Sequence, residues 1–392
     1  MKYDVICVGM ALVDSIIRGF CPEPVSASGY TARSASLNVG GEAVNEAIAS
    51  SRLGLKAGIL CALGEDAAGA MVRAAMKDCG VDTDMIVPSP QTPVTTMFVR
   101  EDGTRRSITN EAHRFNFHPE RYADCFGETK AVILGSLFRA PFDDAEIIRE
   151  VVRSAREAGN YIFADTKIPN FAAVRLNDLR DILPMIDYIT PNEDEARFFT
   201  GRTEPEEMAD VFLGLGVQNV IIKLGGQGCF MKNGQAGFRL PGCRIAAVDA
   251  TGAGDNFLAG FASEILRGKS PSDALRFANA CGAICTTAVG ASSALKSREQ
   301  VLAWMKEQDR LEEQPSCPDR IGRVRKYERL YDEAMARPDP EKLKLLEEYY
   351  TSGAWREDYE ADERGEFPPG LKRGVLSQDA LYDLLEERSG GE

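Results

Sequence analysis

The residues best suited to chemistry lie in one short segment, Val248-Asp249-Ala250-Thr251-Gly252-Ala253-Gly254-Asp255. The apolar run Ile245–Val248 at its start predicts the end of a strand, and apolar residues at helical spacing from Phe257 onward predict a helix. The first turn of a helix has backbone N–H groups without intrahelical partners, and the helix dipole adds positive potential there. We therefore expect the turn Gly252-Ala253-Gly254 to form an anion hole.

Asp255, at the end of this turn, needs its own explanation because a carboxylate repels a neighbouring anion. One explanation is chemical: Asp255 accepts a proton from a hydroxyl that attacks a phosphoryl group, while the amides stabilise the developing charge. The alternative is a helix cap, which Asp, Thr and Asn all provide. An isolated Gly-x-Gly-Asp favours the cap, whereas the rest of this chain favours the chemistry.

A second motif, Gly40-Gly41-x-x-x-Asn45, lies far upstream of the first. Together with Asp-Ala-Thr-Gly-Ala-Gly-Asp-Asn-Phe at 249–257, it resembles the ribokinase-like (PfkB) family of carbohydrate and nucleoside kinases. The resemblance covers about residues 1–305. It implies ATP-dependent phosphorylation of a hydroxymethyl group, with Asp255 as the base and Gly252–Gly254 as the anion hole.

The acceptor site is expected at Asp14, Gly41 and Asn45. Asp14 follows the predicted strand Tyr3–Val8 closely, where ligands of α/β proteins bind, although a turn Asp capping its neighbours is the alternative. The resemblance implies that it binds sugar hydroxyls. Gly41 permits close approach of the backbone to a ligand, and Asn45 offers a donor and acceptors to vicinal hydroxyls. Nearby, Glu46 is interpreted as an acid that favours the helix dipole.

The resemblance also implies a small β-sheet lid, expected at about residues 12–37 and 92–110. Closure of such a lid would exclude water, which competes with the acceptor for the phosphoryl group. Relatives often dimerise through the lid, so a homodimer is a possible partner arrangement. A nucleoside acceptor would need aromatic stacking there, for which Tyr30 and Phe98 are candidates.

The nucleotide site is expected along three segments. Asn192-x-x-Glu195 matches a family motif that organises Mg²⁺ and the ATP phosphates, with Glu195 acting through water; an acidic helix start is the alternative reading. A glycine-rich turn after the strand Val220–Leu224 can pass close under a nucleotide. The expected ATP-binding residues are Asn192, Glu195, Gly225, Gly226, Gly228 and Asn279, the last of these facing the adenine pocket.

The resemblance implies two further features of the site. Asp249 and Thr251 lie in a loop similar to one that holds K⁺ in relatives, where a cation would tune the anion hole. Many relatives carry Asp-x-Asn-x-Arg where this chain has Asp165-Thr166-Lys167. The contact that Lys167 makes with substrate or phosphate is therefore left open.

Composition excludes several classes of function. The chain has 392 residues, a net charge of −14 and 44% hydrophobic residues. Such a charge argues against binding nucleic acid or an anionic membrane. No signal peptide is evident at the start, which leads to the expectation of a cytoplasmic protein. With only two histidines, His113 and His118, a zinc site is not expected.

Strands alternate with helices over residues 3–290, which predicts an α/β fold with a mostly parallel central sheet covered on both faces. The expected kinase domain spans 1–305. Residues 311–392 contain 21 Asp/Glu against 13 Lys/Arg and apolar residues at helical spacing. They predict a small all-α domain, and 345–385 resembles a bacterial helical domain of unknown function. Partner binding, oligomerisation and regulation all remain open for it.

The sequence therefore favours an ATP- and Mg²⁺-dependent sugar kinase, with K⁺ as a possible further cofactor, acting on an acceptor of the ribose, fructose or 2-keto-3-deoxygluconate class. A nucleoside kinase of the adenosine or pseudouridine type is one alternative. A non-catalytic sensor of sugar or nucleotide is another. An intact Asp255 argues against the sensor, because a sensor need not retain the base.

Overall fold

The computed structural model describes residues 1–18, 31–100, 105–110, 117–169, 174–313, 317–336, 339–368 and 370–377. Its strands are β1 (Tyr3–Val8), β2 (Leu12–Arg18), β3 (Ser34–Gly40), β4 (Ala57–Leu60), β5 (Ala62–Gly64), β6 (Val87–Ser89), β7 (Val94–Val99), β8 (Arg105–Thr109), β9 (Thr129–Leu137), β10 (Tyr161–Thr166), β11 (Tyr188–Ile189), β12 (Asn219–Lys223), β13 (Cys229–Asn233) and β14 (Gly237–Leu240). Its helices are α1 (Glu42–Arg52), α2 (Ala67–Asp78), α3 (Ala145–Glu157), α4 (Glu193–Thr200), α5 (Pro205–Gly214), α6 (Ala253–Leu266), α7 (Pro271–Cys285), α8 (Arg298–Glu313), α9 (Cys317–Ala336), α10 (Pro340–Tyr350) and α11 (Gly353–Glu363).

The central sheet has the strand order β14-β13-β12-β11-β10-β9-β1-β4. From β4 to β12 the neighbours are parallel, and β13 and β14 add an antiparallel edge. Parallel neighbours bring the carboxyl ends of β1, β9, β10 and β12 to one edge of the sheet, where ligands of such folds bind. The expectation of a mostly parallel α/β sheet is confirmed.

Both faces of this sheet are buried, as the alternation in β1 shows. Val5 and Cys7 pack into a core with α1, α2, α6 and α7. Ile6 and Val8 pack into a second core with α3, α4 and α5. Burial on both faces explains why the strands are continuous apolar runs, and it leaves polar side chains only at the strand ends.

A second sheet has the order β3-β2-β7-β8. Its strands lie in the two segments expected to form a lid, except that β3 continues beyond residue 37 to Gly40. Asp14 is part of β2 and faces Asn38 of β3 in the register, so it lies within a strand of this small sheet rather than in a turn. Tyr30, a candidate for aromatic stacking, lies outside the described residues.

The strand predicted at Ile245–Val248 is wrong. The chain leaves the sheet after β14, and 241–248 has no strand pairing; Val248 is 64% exposed. The backbone N–H groups of Val248 and Asp249 instead donate to the carbonyl of Thr286, over 2.7 and 3.1 Å. A short apolar run is ambiguous by itself, and this one lies beyond an edge strand with no neighbouring strand to pair with.

Residues 1–305 and 306–392 form two compact units. In the second unit, α9, α10 and α11 surround a core that includes Tyr349 and Trp355. Asp358, fully buried, accepts hydrogen bonds from Arg323 and from the hydroxyl of Tyr349. No helix among the described residues has the length and apolar character needed to cross a bilayer.

Candidate active site

The turn before α6 has the conformation that its glycines predict. Gly252, the N-cap of α6, has a φ of 76°, and a Cβ atom there would lie 2.2 Å from the Cβ of Ala291. Positive φ and lack of space both require glycine. The N–H of Ala253 donates to the carbonyl of Ala250 over 3.2 Å. The anion hole expected from the sequence therefore begins at a real helix N-terminus.

Asp255 lies in the first turn of α6 and is 5% exposed. Its Oδ2 accepts a hydrogen bond of 2.7 Å from Nδ2 of Asn45. Burial raises the pKa of Asp255 to about 6; Lys167 lowers it, and Glu42 and Asp165 raise it further. A carboxylate with a pKa near neutrality is well matched to accept a proton from a hydroxyl.

Asn45 is held over Asp255 by the start of α1. Gly41, the N-cap, has a φ of 99°, and a Cβ atom there would lie 2.4 Å from the carbonyl oxygen of Met10. The glycine thus lets the helix begin against the loop after β1. The side-chain Oδ1 of Asn45 is buried and accepts no hydrogen bond from the described residues, so it is available to a ligand hydroxyl.

Asp165 and Lys223 form a buried ion pair beneath the same turn. Their Nζ and Oδ1 atoms are 2.7 Å apart, and Oδ1 also accepts a bond of 3.1 Å from the hydroxyl of Thr190. A Cβ atom built on Gly254 would lie 3.0 Å from Nζ of Lys223. The ammonium group is therefore at the N-terminus of α6, where it adds positive charge for an anion.

Lys167 provides a second cation at the end of β10. Its Nζ lies 3.5 Å from Oε1 of Glu42. Burial lowers the pKa of Lys167, but Glu42, Asp255 and Asp165 outweigh that effect and raise the pKa above its ordinary value. Lys167 is therefore charged and forms an ion pair with the start of α1, while its contact with substrate or phosphate is not tested.

Asp14 approaches the same region from β2. Its Oδ2 would lie 2.4 Å from a Cβ atom at Gly40, so glycine is needed to accommodate the carboxylate. Burial and the charge of Glu42 raise the pKa of Asp14 to about 6. Asp14 is thus packed against Gly40, directly before the start of α1.

Asn192 and Glu195 form a capping box at the start of α4. Oδ1 of Asn192 accepts from the N–H of Glu195, and Oε2 of Glu195 accepts from the N–H of Asn192, both over 2.9 Å. The same Oε2 accepts from the hydroxyl of Thr166 over 3.1 Å. The hydrogen bonds of Asn192 and Glu195 are therefore those of a helix start, and their role toward Mg²⁺ stays a prediction.

The glycine-rich turn after β12 exposes Gly225 and Gly226 and buries Gly228. Gly228 has a φ of 92°, and a Cβ atom there would lie 2.1 Å from the carbonyl oxygen of Leu240. Asn279 of α7 donates from Nδ2 to the carbonyl of Pro241 over 3.2 Å. The turn and Asn279 are thus both tied to the chain segment that follows β14.

The family model for pfkB family carbohydrate kinases matches residues 3–298. The chain belongs to this family. It is a phosphotransferase that uses an alcohol group as acceptor. A second model, for a domain of unknown function (DUF4298), matches residues 335–390, and this confirms the C-terminal fusion expected from the sequence.

Individual relatives of this pfkB family member agree. The chain is 29% identical to the 2-dehydro-3-deoxygluconokinase of Bacillus subtilis over 70% of its own length and 88% of that protein. It is 29% identical to the ribokinase of Haemophilus influenzae over 70% of its length and 90% of that protein. The structure of Arabidopsis thaliana ribokinase complexed with ribose and ATP matches with a TM-score of 0.69 at 26% identity, covering 78% of this chain and 99% of that one.

The potassium loop expected of this family member is closed by its own hydrogen bonds. Oδ1 of Asp249 accepts from the N–H and the hydroxyl of Thr251, over 3.1 and 2.7 Å, and Oδ2 accepts from the N–H of Gly290 over 3.1 Å. Asn256 donates to the carbonyls of Gly252 and Ala291, over 2.8 and 2.9 Å. These bonds fix the loop next to Gly252, and its carbonyl oxygens are the type of ligand that K⁺ takes.

Two residues that lie close to Asp165 or Asp255 were not predicted for the site from the sequence. Lys223 was seen only as part of a strand, and Glu46 was interpreted as an ordinary helix acid. Glu46 is fully buried, and one of its carboxylate oxygens lies within 4.8 Å of one oxygen each of Asp165 and Asp255. Their positions in the sequence could have placed them near the site, because Lys223 ends a buried strand and Glu46 directly follows Asn45.

Proposed function

We propose that this kinase transfers the γ-phosphoryl group of ATP to a primary hydroxyl of a small carbohydrate of the ribose, fructose or 2-keto-3-deoxygluconate class. The hydrogen bond between Asn45 and Asp255 carries the proposal. It joins the Gly40-Gly41 helix start, which is suited to hold a polyol, to the helix N-terminus suited to hold a phosphoryl group. An acceptor hydroxyl bound at Asn45 is therefore next to both the base and the anion hole.

Asp255 acts as the general base in this proposal. Its carboxylate takes the hydroxyl proton as the acceptor oxygen attacks the γ-phosphorus, and the bond from that phosphorus to the bridging oxygen breaks to release ADP. The amides of Gly252 and Gly254, with the ammonium group of Lys223, stabilise the charge on the equatorial oxygens. Asp14, Gly41 and Asn45 hold the acceptor.

The residues near the nucleotide fit a requirement for Mg²⁺. Acidic side chains outnumber the basic ones around Asp255, so an added triphosphate needs a counter-charge. Glu195, which is 4% exposed, and Asn192 would hold the hydrated ion, and Gly225, Gly226, Gly228 and Asn279 would contact the nucleotide. Magnesium supplies neutralisation of the phosphate charge and usually keeps several waters. A K⁺ ion at Asp249 and Thr251 is the further cofactor proposed.

The sensor alternative is not favoured by the geometry. A binding protein has no need to keep a carboxylate buried with a pKa near 6 at a helix N-terminus, because such burial costs stability. The nucleoside alternative keeps the same chemistry and differs only in the acceptor, for which Phe98 is the described aromatic candidate. The role of the C-terminal domain stays open, and a lid-mediated homodimer and the cytoplasmic location remain predictions from the sequence.

The test is a screen of ATP consumption by the full chain with Mg²⁺ and K⁺. The acceptors are ribose, fructose, 2-keto-3-deoxygluconate, fructose 6-phosphate, adenosine and pseudouridine. Saturable ADP formation with one of the first three supports the proposal. A response only to a nucleoside would replace the acceptor class, and binding of acceptor and ATP without ADP formation would favour the sensor.

A further inference from the structure

The surroundings of Glu46 distinguish it from the other acids of the site. Asp255 accepts a bond from Asn45, and Asp165 is paired with Lys223. Neither carboxylate oxygen of Glu46 has a hydrogen-bond partner among the described residues, although the side chain is fully buried. A buried ionised carboxylate without a partner is among the costliest groups in a protein, whereas a neutral acid is not.

The fold nevertheless makes room for this carboxyl group. A Cβ atom built on Gly135 of β9 would lie 3.0 Å from Oε2 of Glu46, so glycine opposite α1 leaves the space that the carboxyl occupies. One oxygen of Glu46 also lies within 4.8 Å of oxygens of Asp165 and Asp255. The side chain is therefore directed at the two carboxylates beneath the anion hole.

The cluster has four acids, Glu42, Glu46, Asp165 and Asp255, against the two cations Lys167 and Lys223, and Glu46 is the acid without a hydrogen bond or ion pair among the described residues. Lys223 compensates Asp165, and Lys167 lies near Glu42 and Asp255. Burial, followed by the charges of Asp255 and Asp165, raises the pKa of Glu46 well above its ordinary value. The titratable or charged groups that face it from the surrounding elements are Cys7 (β1), Glu42 (α1), Asp165 (β10), Lys223 (β12) and Asp255 (α6).

We propose that Glu46 holds a proton at neutral pH. As a neutral acid beside Asp165 and Asp255, it positions the general base Asp255 and keeps that base ionised. It does not touch the acceptor. The inference rests on the proposed function. Asp255 can then remain the anionic partner that takes the acceptor proton, because like charges this close do not all ionise together. When Glu46 loses its proton, a further negative charge appears beside the anion hole and opposes the transferring phosphoryl group.

Proton occupancy is tested by infrared difference spectroscopy of the full chain at pH 7 against Glu46→Gln. We expect the parent to show a carboxylic acid C=O band that is lost in the variant and shifts in D₂O. Ser50→Ala is the matched control, since Ser50 is buried one turn further along α1, and it should keep the band. Absence of the band in the parent overturns the proposal, whichever acceptor the kinase uses and whichever residue is its base.

The tuning role is tested by kcat as a function of pH. We expect the parent to lose kcat on the alkaline side, approaching about tenfold per pH unit for one titrating group, and Glu46→Gln to lose this decline while keeping the acidic limb. KM values should change less than kcat. Identical alkaline limbs in parent and variant would reduce Glu46 to a packing residue and overturn the tuning role.

A divalent cation is the competing explanation for three clustered carboxylates. Mn²⁺ titration of the nucleotide-free protein, followed by electron paramagnetic resonance, distinguishes the two. We expect no site that depends on Glu46. A stoichiometric Mn²⁺ site that Glu46→Gln removes and Ser50→Ala retains would overturn the proposal in favour of a metal site.

Discussion

Nδ2 of Asn45 donates a hydrogen bond of 2.7 Å to Oδ2 of Asp255, joining two residues 210 positions apart in the sequence. One belongs to the helix start expected to hold the acceptor, and the other to the helix start expected to hold the phosphoryl group. The contact therefore links the two segments that are proposed to hold the acceptor and the phosphoryl group.

Asp255→Asn should lower kcat by about 10²–10⁴-fold, which is the usual contribution of a general base. Binding of acceptor and ATP, measured by calorimetry, should change little because the amide has the same shape. Asp273→Asn is the matched control, as Asp273 is an exposed acid in the first turn of α7. Turnover by Asp255→Asn at the parent rate would show that the base has been misassigned.

The pH profile should have an acidic limb near pH 6. Burial raises the pKa values of both Asp255 and Asp14 to about 6, and Asp255 must be ionised to accept a proton, so kcat/KM falls as the pH drops through this value. Asp14→Asn should retain the limb in kcat, because Asp255 still titrates. If Asp14→Asn abolishes the acidic limb of kcat, the group whose ionisation limits kcat is Asp14 and not Asp255.

Stability should depend on pH through the same carboxylate. The pKa of Asp255 is raised from 3.8 to about 6 on folding, so the folded state binds the proton more tightly and stability is lost as the pH rises through this window. Asp255→Asn should therefore raise the free energy of unfolding at pH 7 by about 1–3 kcal/mol, at about 1.4 kcal/mol per pKa unit. Urea unfolding at pH 7 and at pH 4 checks this, and an equal gain at both would contradict it.

Asn45→Ala should raise the KM of the acceptor and lower kcat/KM by about 10- to 100-fold, since one buried hydrogen bond to the base and one to the acceptor are lost. The KM of ATP serves as the internal control and should stay constant. Asn45→Asp should instead move the acidic limb to higher pH, because it places a second carboxylate 2.7 Å from Asp255. An equal rise in both KM values would indicate general damage to the site.

Variants of the pair Asp165–Lys223 should affect the free energy of unfolding and the rate of turnover differently. Lys223→Met alone leaves Asp165, 2% exposed, without its cation and should cost about 3–5 kcal/mol of unfolding free energy. Adding Asp165→Asn should recover most of this loss, which a double-mutant cycle measures. Turnover should remain at least about tenfold low in the double variant, because the ammonium group at the start of α6 is still absent. Recovery of both properties together would give Lys223 a structural role only.

Much of the fold and part of the site could be predicted from the sequence, because their determinants are local. Alternating apolar segments predicted the parallel sheet, and Gly252 was required by a turn that the neighbouring residues define. Asp255 and Asn45 were predicted for the site from motifs of nine and six residues. The family and the enzyme class follow from these motifs and are confirmed, whereas the roles of the individual site residues remain proposals.

The failures were of a different kind, because they depended on what the chain meets in space. Ile245–Val248 has the composition of a strand end, but it lies beyond an edge strand and pairs with none. Glu46 has the position of an ordinary helix acid, and only the packing of α1 against β9 and α6 buries it beside Asp165 and Asp255. In the sequence, Lys223 is only the polar end of a strand. In the structure, its Nζ lies 2.7 Å from Oδ1 of Asp165 in β10. The sequence by itself determined which groups are available and which turns they occupy. The tertiary structure decided which charges share a low-dielectric interior, and that environment fixes the protonation states on which the chemistry depends.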